Sequence, residues 1–420
     1  MTPTTNTQVL TRESCRAMDE NDPLAGFRDR FVLPEGVIYL DGNSLGALPR
    51  QTADRVHAVI TGEWGQGLIR SWNDAGWFDK PQSLGDRLAP LIGAAPGEVV
   101  IGDSTSMSLF QVAIAAARLC PGRRVIVSEA ENFPTDLYML ESVEELMGGL
   151  ERRLIDDAGP SLVEVLDEDV AVVVLTHVNY RTGRMYDMAQ VTRAVHDAGA
   201  IMVWDLCHSV GAVPIELNAA EADFAIGCTY KYLNGGPGSP SFIWAASRHH
   251  TESRPPLTGW HGHARPFDFG VDYAPGEGVT RFRVGTPQML SMASLESALD
   301  LWTDVDMSQV REKSLHLTDL FIDLVESELA PWGWEVVTPR EHTRRGSQVA
   351  LRGENGYAVM QALIERDVIG DFRAPDLMRF GFTPLYVSYT DVWDAVAILK
   401  DVLQSQIWRS ERFNRRGAVT

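Results

Sequence analysis

Short β-branched runs that end in small or polar residues alternate with amphipathic stretches through the first two thirds of the chain. That alternation predicts an α/β domain with a mainly parallel sheet, because each parallel pair needs a long crossover and helices fill the crossovers. The predicted strands are 99–101, 124–128, 170–176, 201–205, 224–229 and 241–245, with helices over 107–119, 135–147 and 189–198. Past about Gly285 the pattern lengthens into helices over 290–303 and 309–329, followed by a mixed segment over 348–403. Ala330-Pro331-Trp332-Gly333 breaks the helical period there. The expected organisation is a large α/β domain at 31–288 and a smaller α+β domain made of 1–30 and 289–420. No repeat or low-complexity tract stands out, and Arg415-Arg416-Gly417 reads as a frayed end.

Composition narrows the function. With 420 residues, 45% of them hydrophobic, the chain can bury a large core. Lys and Arg total 37 against 57 Asp and Glu, and the net charge of -20 would repel nucleic-acid phosphates and anionic membranes. A small-molecule role is expected. Arg12, Glu13 and Arg16 stand where a secretory signal would be apolar, so export is not expected. The apolar runs at 112–117 and 170–175 fall short of the ~18 residues a spanning helix needs. Cys15, Cys120, Cys207 and Cys228 are far apart in sequence, which suggests neither a disulfide framework nor a metal clamp and fits a reducing cytoplasm. His249-His250 and His261-Gly262-His263 lack a third ligand, so no metal is expected.

Four strand ends carry candidate chemistry. Thr229-Tyr230-Lys231-Tyr232-Leu233-Asn234-Gly235-Gly236 sets a lysine before a glycine-rich turn, where its amine could condense with an aldehyde cofactor. Taken alone it also reads as a surface lysine. Asp205, at the end of 201–205, precedes Lys231 by 26 residues, room for one crossover and a return strand, so both could reach one carboxyl edge. An acid there can keep a pyridine ring protonated, and a helix N-cap is the plainer reading. Asp103-Ser104-Thr105-Ser106 precedes a helix, where hydroxyls and free N–H groups attract phosphate or simply cap. Phe133-Pro134-Thr135-Asp136 offers an aromatic face and an acid, or only a turn. Together the four are more persuasive than any one.

These residues resemble the kynureninases, fold-type I pyridoxal phosphate enzymes, over most of the chain. The resemblance is carried by Asp41-Gly42-Asn43-Ser44-Leu45-Gly46, Phe133-Pro134-Thr135-Asp136, Asp205-Leu206-Cys207-His208 and Tyr230-Lys231-Tyr232-Leu233-Asn234. Gly259-Trp260-His261-Gly262-His263, Phe282-Arg283-Val284-Gly285-Thr286-Pro287 and Pro384-Leu385-Tyr386 complete it. It implies the fold-type I transferase architecture and hydrolysis of L-kynurenine to anthranilate and L-alanine, in tryptophan catabolism. By the resemblance, Lys231 forms the imine with pyridoxal phosphate and acts as base, Asp205 faces the pyridine nitrogen, Phe133 stacks on the ring and Asp136 lies nearby. Ser104, Thr105 and Tyr230 bind the phosphate side, Tyr230 also donates a proton, and Thr176 and His208 complete the cofactor set. Trp260 and Thr286 would come from a neighbouring subunit, which implies a homodimer. Arg379 would clamp the substrate carboxylate as a planar fork, although an ion pair with Asp376 is the plain alternative. Asn43, Trp72 and Gly285 join it as substrate-binding candidates.

Cys207 departs from the small residue expected there and is read as a packing change. Trp72, Gly285 and Thr286 suggest a preference for kynurenine over 3-hydroxykynurenine, since a buried ring hydroxyl would need a polar partner. Another fold-type I activity, such as a cysteine desulfurase or an aminotransferase, is the alternative, as is a non-catalytic cofactor-binding relative. No cysteine follows Cys228 to serve a desulfurase as nucleophile.

Overall fold

A computed structural model of the chain describes residues 11–156 and 159–415. Its main sheet contains β1 (Val99–Gly102), β2 (Val125–Glu129), β3 (Glu151–Ile155), β4 (Val170–Thr176), β5 (Ile201–Asp205), β6 (Phe224–Gly227) and β7 (Ser241–Ala245). Their order across the sheet is β1-β7-β6-β5-β4-β2-β3. The ladders β3/β2, β2/β4, β4/β5 and β5/β6 are parallel, and β7 runs antiparallel to both β1 and β6. The mainly parallel sheet expected from the sequence is therefore present.

The strand sequences reflect their places. All seven residues of β4, Val-Ala-Val-Val-Val-Leu-Thr, are buried, so the strand shows no alternation, as expected for a strand covered on both faces. β3 was not expected: Glu-Arg-Arg-Leu-Ile lies at the sheet edge with only Ile155 buried, so it lacks the apolar run that marks the others. Helices α1 (Thr105–Leu119), α2 (Pro134–Met147) and α3 (Met188–Asp197) occupy crossovers. Leu109, Val112, Ala113 and Ala116 of α1 join the core formed by Ile126, Val172 and Val203 of the sheet. Full burial of a leucine or valine such as Leu109 or Val112 stabilises the unit by roughly 1.5–3 kcal/mol.

The chain divides into two compact units. One comprises Leu45–Tyr180 and Arg184–Met307 and holds the seven-stranded sheet together with α4 (Met289–Trp302). The other comprises the chain up to Ser44, Arg181–Gly183 and the chain from Ser308. It holds an antiparallel sheet of β8 (Glu335–Val336), β9 (Gln348–Arg352), β10 (Asp371–Arg373) and β11 (Leu377–Gly381), in the order β8-β9-β11-β10. The helical break expected near Pro331 is a short 3-10 turn at Ala330–Trp332, closed by Gly333 at φ +68°. No helix among the described residues is long and apolar enough to cross a membrane. Of the frayed end expected at Arg415-Arg416-Gly417, Arg416 and Gly417 lie outside the described residues, as do residues 1–10, where a leader was not expected.

Candidate active site

At the carboxyl edge of the parallel strands, a cavity of about 510 Å³ lies beside Lys231, a size that suits a small ligand. The loop that carries Lys231 is fixed by backbone contacts. Tyr230 O accepts from Gly46 N at 2.8 Å, Thr229 O accepts from Gly235 N at 2.8 Å, and Asn234 Nδ2 donates to Ala47 O at 3.1 Å. A Cβ at Gly46 would lie 2.2 Å from Lys231 O, so only glycine allows this approach. Lys231 Nζ then lies 3.3 Å from His208 Nε2.

Two acids line the same cavity. Asp205 ends β5 and takes Cys207 N–H on Oδ1 at 2.8 Å, an Asx turn that aims its other oxygen toward Thr176, whose Oγ1 is 3.3 Å from Oδ2. Thr176 Oγ1 also donates to Asn132 Oδ1 at 2.5 Å. Asp136, in the first turn of α2, shares a side-chain hydrogen bond with Asp205, and its Oδ2 has no partner. Burial first, and the charge of Asp205 next, push the Asp136 carboxyl well above the usual range. Burial, then the neighbouring Cys228 and Cys207, raise the Tyr230 phenol.

The third wall is the start of α1. Ser104 holds the N-cap position with extended backbone, yet its hydroxyl makes no cap bond, so capping does not explain the Ser-Thr-Ser run. The first-turn N–H groups of a 15-residue helix are thereby left to an anion, with Thr105 and Ser106 lining the cavity. Phe133 is 42% exposed, and its ring meets Tyr180 edge-on at 5.2 Å.

Eight sequence candidates thus converge on one cavity: Thr105, Phe133, Asp136, Thr176, Asp205, His208, Tyr230 and Lys231. Ser104 heads the adjoining helix. Trp72 and Trp260 lie in a separate aromatic group, 5.7 Å apart, with Trp77 and Phe267 against them. Gly285 and Thr286 line a second hollow with Asp103, His261 and Arg283. The sequence reading quoted Ser106 and Thr135 inside its motifs without assigning them to the site, missed Tyr180, and treated Cys207 as packing, though Cys207 also lines the cavity. Tyr180 follows the end of β4 by four residues, and that strand end was the available signal.

Asn43 and Arg379 belong to the other compact unit and are both buried. Asn43 Nδ2 donates to Gln348 Oε1 at 3.3 Å. Arg379 is not the surface partner of Asp376, which pairs with Arg352 at 2.9 Å. Its Nε donates to Asp371 Oδ1 at 2.7 Å, its Nη2 reaches Asp371 Oδ2, and Ser44 Oγ lies 3.1 Å from Nη2. Arg373 shares Asp371 at 2.7 Å. Asp371 and Ser44 gave no sequence signal as supports of Arg379.

Comparison with known proteins agrees with this geometry. Residues 310–399 match the kynureninase C-terminal domain family. A kynureninase of Burkholderia pseudomallei (strain 1106a) is 55% identical over 417 residues, covering 98% of this chain and 100% of the relative. One from Pseudomonas fluorescens is 53% identical over the same coverage. Among solved structures, the apo cysteine desulfurase of Thermococcus onnurineus NA1 matches with TM-score 0.76 at 19% identity, covering 90% of this chain and 98% of that one. The cysteine desulfurase CsdA of Escherichia coli matches with TM-score 0.75 at 21% identity, covering 91% and 98%. At such identity these two speak for the fold alone, and it is the expected fold-type I architecture. With more than half of its residues identical to those relatives along their whole length, the chain belongs to the kynureninase family.

Proposed function

We propose that this chain hydrolyses L-kynurenine to anthranilate and L-alanine, using pyridoxal phosphate bound at Lys231. The observation that carries the reading is the meeting of Lys231, the buried acids Asp136 and Asp205, and an uncapped helix start around one cavity. These groups fit the cofactor: an amine for its aldehyde, a partnerless acid oxygen beside its ring, and free N–H groups for its phosphate. When bound, the cofactor supplies an aldehyde that condenses with amines and a pyridine ring that takes up negative charge from the substrate Cα.

The chain's residues do the rest. Asp205 holds a proton on the ring nitrogen, and Phe133 covers the ring face. Ser104, Thr105 and Tyr230 grip the phosphate side, with Thr176 and His208 completing the set. The Lys231 amine removes the Cα proton as general base, and Tyr230, whose raised phenol keeps its proton, returns one to the alanine carbon. Arg379, oriented by Asp371, takes the substrate carboxylate beside Asn43. By the family resemblance, Trp72 and Gly285 border the aniline ring and, with Thr286, favour kynurenine over the 3-hydroxy compound. Trp260 and Thr286 serve the phosphate of a neighbouring subunit, making the protein a homodimer with shared sites, and the cytoplasm suits a chain whose thiols are all free.

The test is to offer the purified protein L-kynurenine, L-cysteine, and L-alanine with a keto acid. Anthranilate fluorescence from kynurenine alone is expected; sulfide or transamination products without anthranilate would refute the reading. Sharing of sites is tested by mixing Lys231→Ala chains with Thr286→Arg chains, which should regain part of the activity that each lacks.

A further inference from the structure

Cys207 and Cys228 stand two residues beyond Asp205 and Ile226, which pair across the parallel strands β5 and β6. Leu206 N still donates to Ile226 O at 2.8 Å, so the two segments stay side by side up to the turn that carries Cys207. Neighbouring strands run about 4.8 Å apart. That spacing lies within the roughly 4.4–6.8 Å between Cα atoms that a disulfide spans. Each thiol shifts the ionisation of the other, and Cys228 Sγ lies 3.7 Å from Cys207 O. Cys207 Sγ is 3.9 Å from Thr105 Oγ1, and Cys228 meets the Tyr230 hydroxyl. Sulfur thus bridges a phosphate-side hydroxyl and the proposed proton donor. Cys207 lines the Lys231 cavity, whereas Cys228 lies behind it at 1% exposure.

We propose that Cys207 and Cys228 form an oxidation site, which a peroxide entering the Lys231 cavity closes to a disulfide when the cofactor is absent. The Cys207 thiolate attacks one peroxide oxygen, the O–O bond breaks, and the departing hydroxide takes a proton to leave as water. Cys228 sulfur then displaces the hydroxyl from the resulting sulfenic acid, which leaves as a second water. Two thiols lose two electrons, and the peroxide gains them. Cys228 and burial push the Cys207 thiol well up, with the Lys231 charge opposing them, so Cys207 reacts through a small thiolate fraction. At Cys228, burial is outweighed by Cys207 and Lys231, which hold that thiol below its usual value. Once linked, Cys228 can no longer serve Tyr230, and Cys207, whose N–H holds Asp205 at 2.8 Å, is drawn aside. Cofactor rebinding is slowed as a result.

The disulfide rests on strand geometry, and its protection by cofactor rests on the cavity being the pyridoxal phosphate site. The full chain is treated with hydrogen peroxide with and without pyridoxal phosphate, alkylated, digested and mapped by mass. A Cys207–Cys228 linked peptide is expected in the cofactor-free protein, reversed by dithiothreitol together with recovery of cofactor uptake. With cofactor at about ten times its dissociation constant, linkage should slow roughly elevenfold, because only the empty fraction reacts. Cys228→Ser should stop Cys207 at oxygen adducts, readable even if this variant binds cofactor poorly. Oxygen adducts on Cys207 without any linked peptide in the unsubstituted chain would overturn the proposal. Equal linkage rates with the Lys231 absorbance band present would overturn cavity access, whereas equal rates with no band would overturn the cofactor-site reading instead.

Discussion

Around Lys231, two buried acids line one cavity and one of their oxygens has no partner; around Arg379, a single buried acid is shared by two arginines. In the first cluster, burial and like charge raise the Asp136 carboxyl well above its usual range, which a cationic ring would offset. In the second, the Arg379 and Arg373 charges overcome the cost of burial and hold the Asp371 carboxyl below its usual range. The guanidinium of Arg379 is therefore oriented before any ligand arrives. One cluster awaits its counter-charge, and the other is already assembled. Removing a group should accordingly damage binding in the first and folding in the second.

The largest effect is expected for Lys231→Ala. Loss of a general base lowers turnover by roughly 10²–10⁴-fold, and the cofactor's imine absorbance should vanish as well. Anthranilate production at the unsubstituted rate would remove Lys231 from the mechanism. Next comes Asp371→Asn, which strands two arginine charges, one of them only 1% exposed. Breaking a buried pair from one side costs about 3–5 kcal/mol, read as a lower urea midpoint with unchanged slope. The Michaelis constant for kynurenine should rise with it, because Arg379 loses its support. A variant as stable as the parent would mean that the pair contributes little to folding.

The same contrast explains what could be read from sequence. The doubly covered strands announce themselves as apolar runs, and Asp205 and Lys231 sit at their ends, where short loops tie position to sequence. The edge strand Glu151–Ile155 escaped notice because only one of its residues is buried. Asp371 escaped for a different reason. Its partner Arg379 lies across an antiparallel ladder, directly opposite in register, and a strand pairing of that kind leaves no motif in the chain. Ser44 lay inside a quoted motif, but its bond to Asp371 at 2.7 Å joins residues 327 apart in sequence. Chemistry at strand ends is legible; chemistry made by strand pairing has to be seen.

Asp136→Asn sharpens the comparison with a smaller effect. Burial favours the protonated form of this acid, and an amide N–H can stand in for its O–H beside Asp205. Stability should therefore change by about 1 kcal/mol or less, the usual net worth of one hydrogen bond. Cofactor affinity should fall by more than this, as seen by equilibrium titration of absorbance. A loss of several kcal/mol in a urea melt would show that Asp136 is charged in the folded protein.

The smallest effect concerns Asp41, which lies beside Asp371 and carries an oxygen without a partner. Burial first, and the Asp371 charge second, raise its carboxyl to about 7, against Arg379, Arg373 and the Ser44 hydroxyl, which pull it down. Tyr39 also faces it. The folded chain holds this proton more tightly than the unfolded chain, whose carboxyl titrates near 3.9. Its stabilising share is complete below that value, declines as pH rises, and is gone above about 7. Asp371 has the opposite sign: its depressed folded value contributes at neutral pH and is lost in acid. Asp41→Asn should therefore flatten the fall in melting temperature between pH 5 and pH 7 relative to the parent, while leaving the acid limb governed by Asp371 unchanged. Parallel curves for the two proteins across that interval would show that Asp41 titrates alike in the folded and unfolded chains.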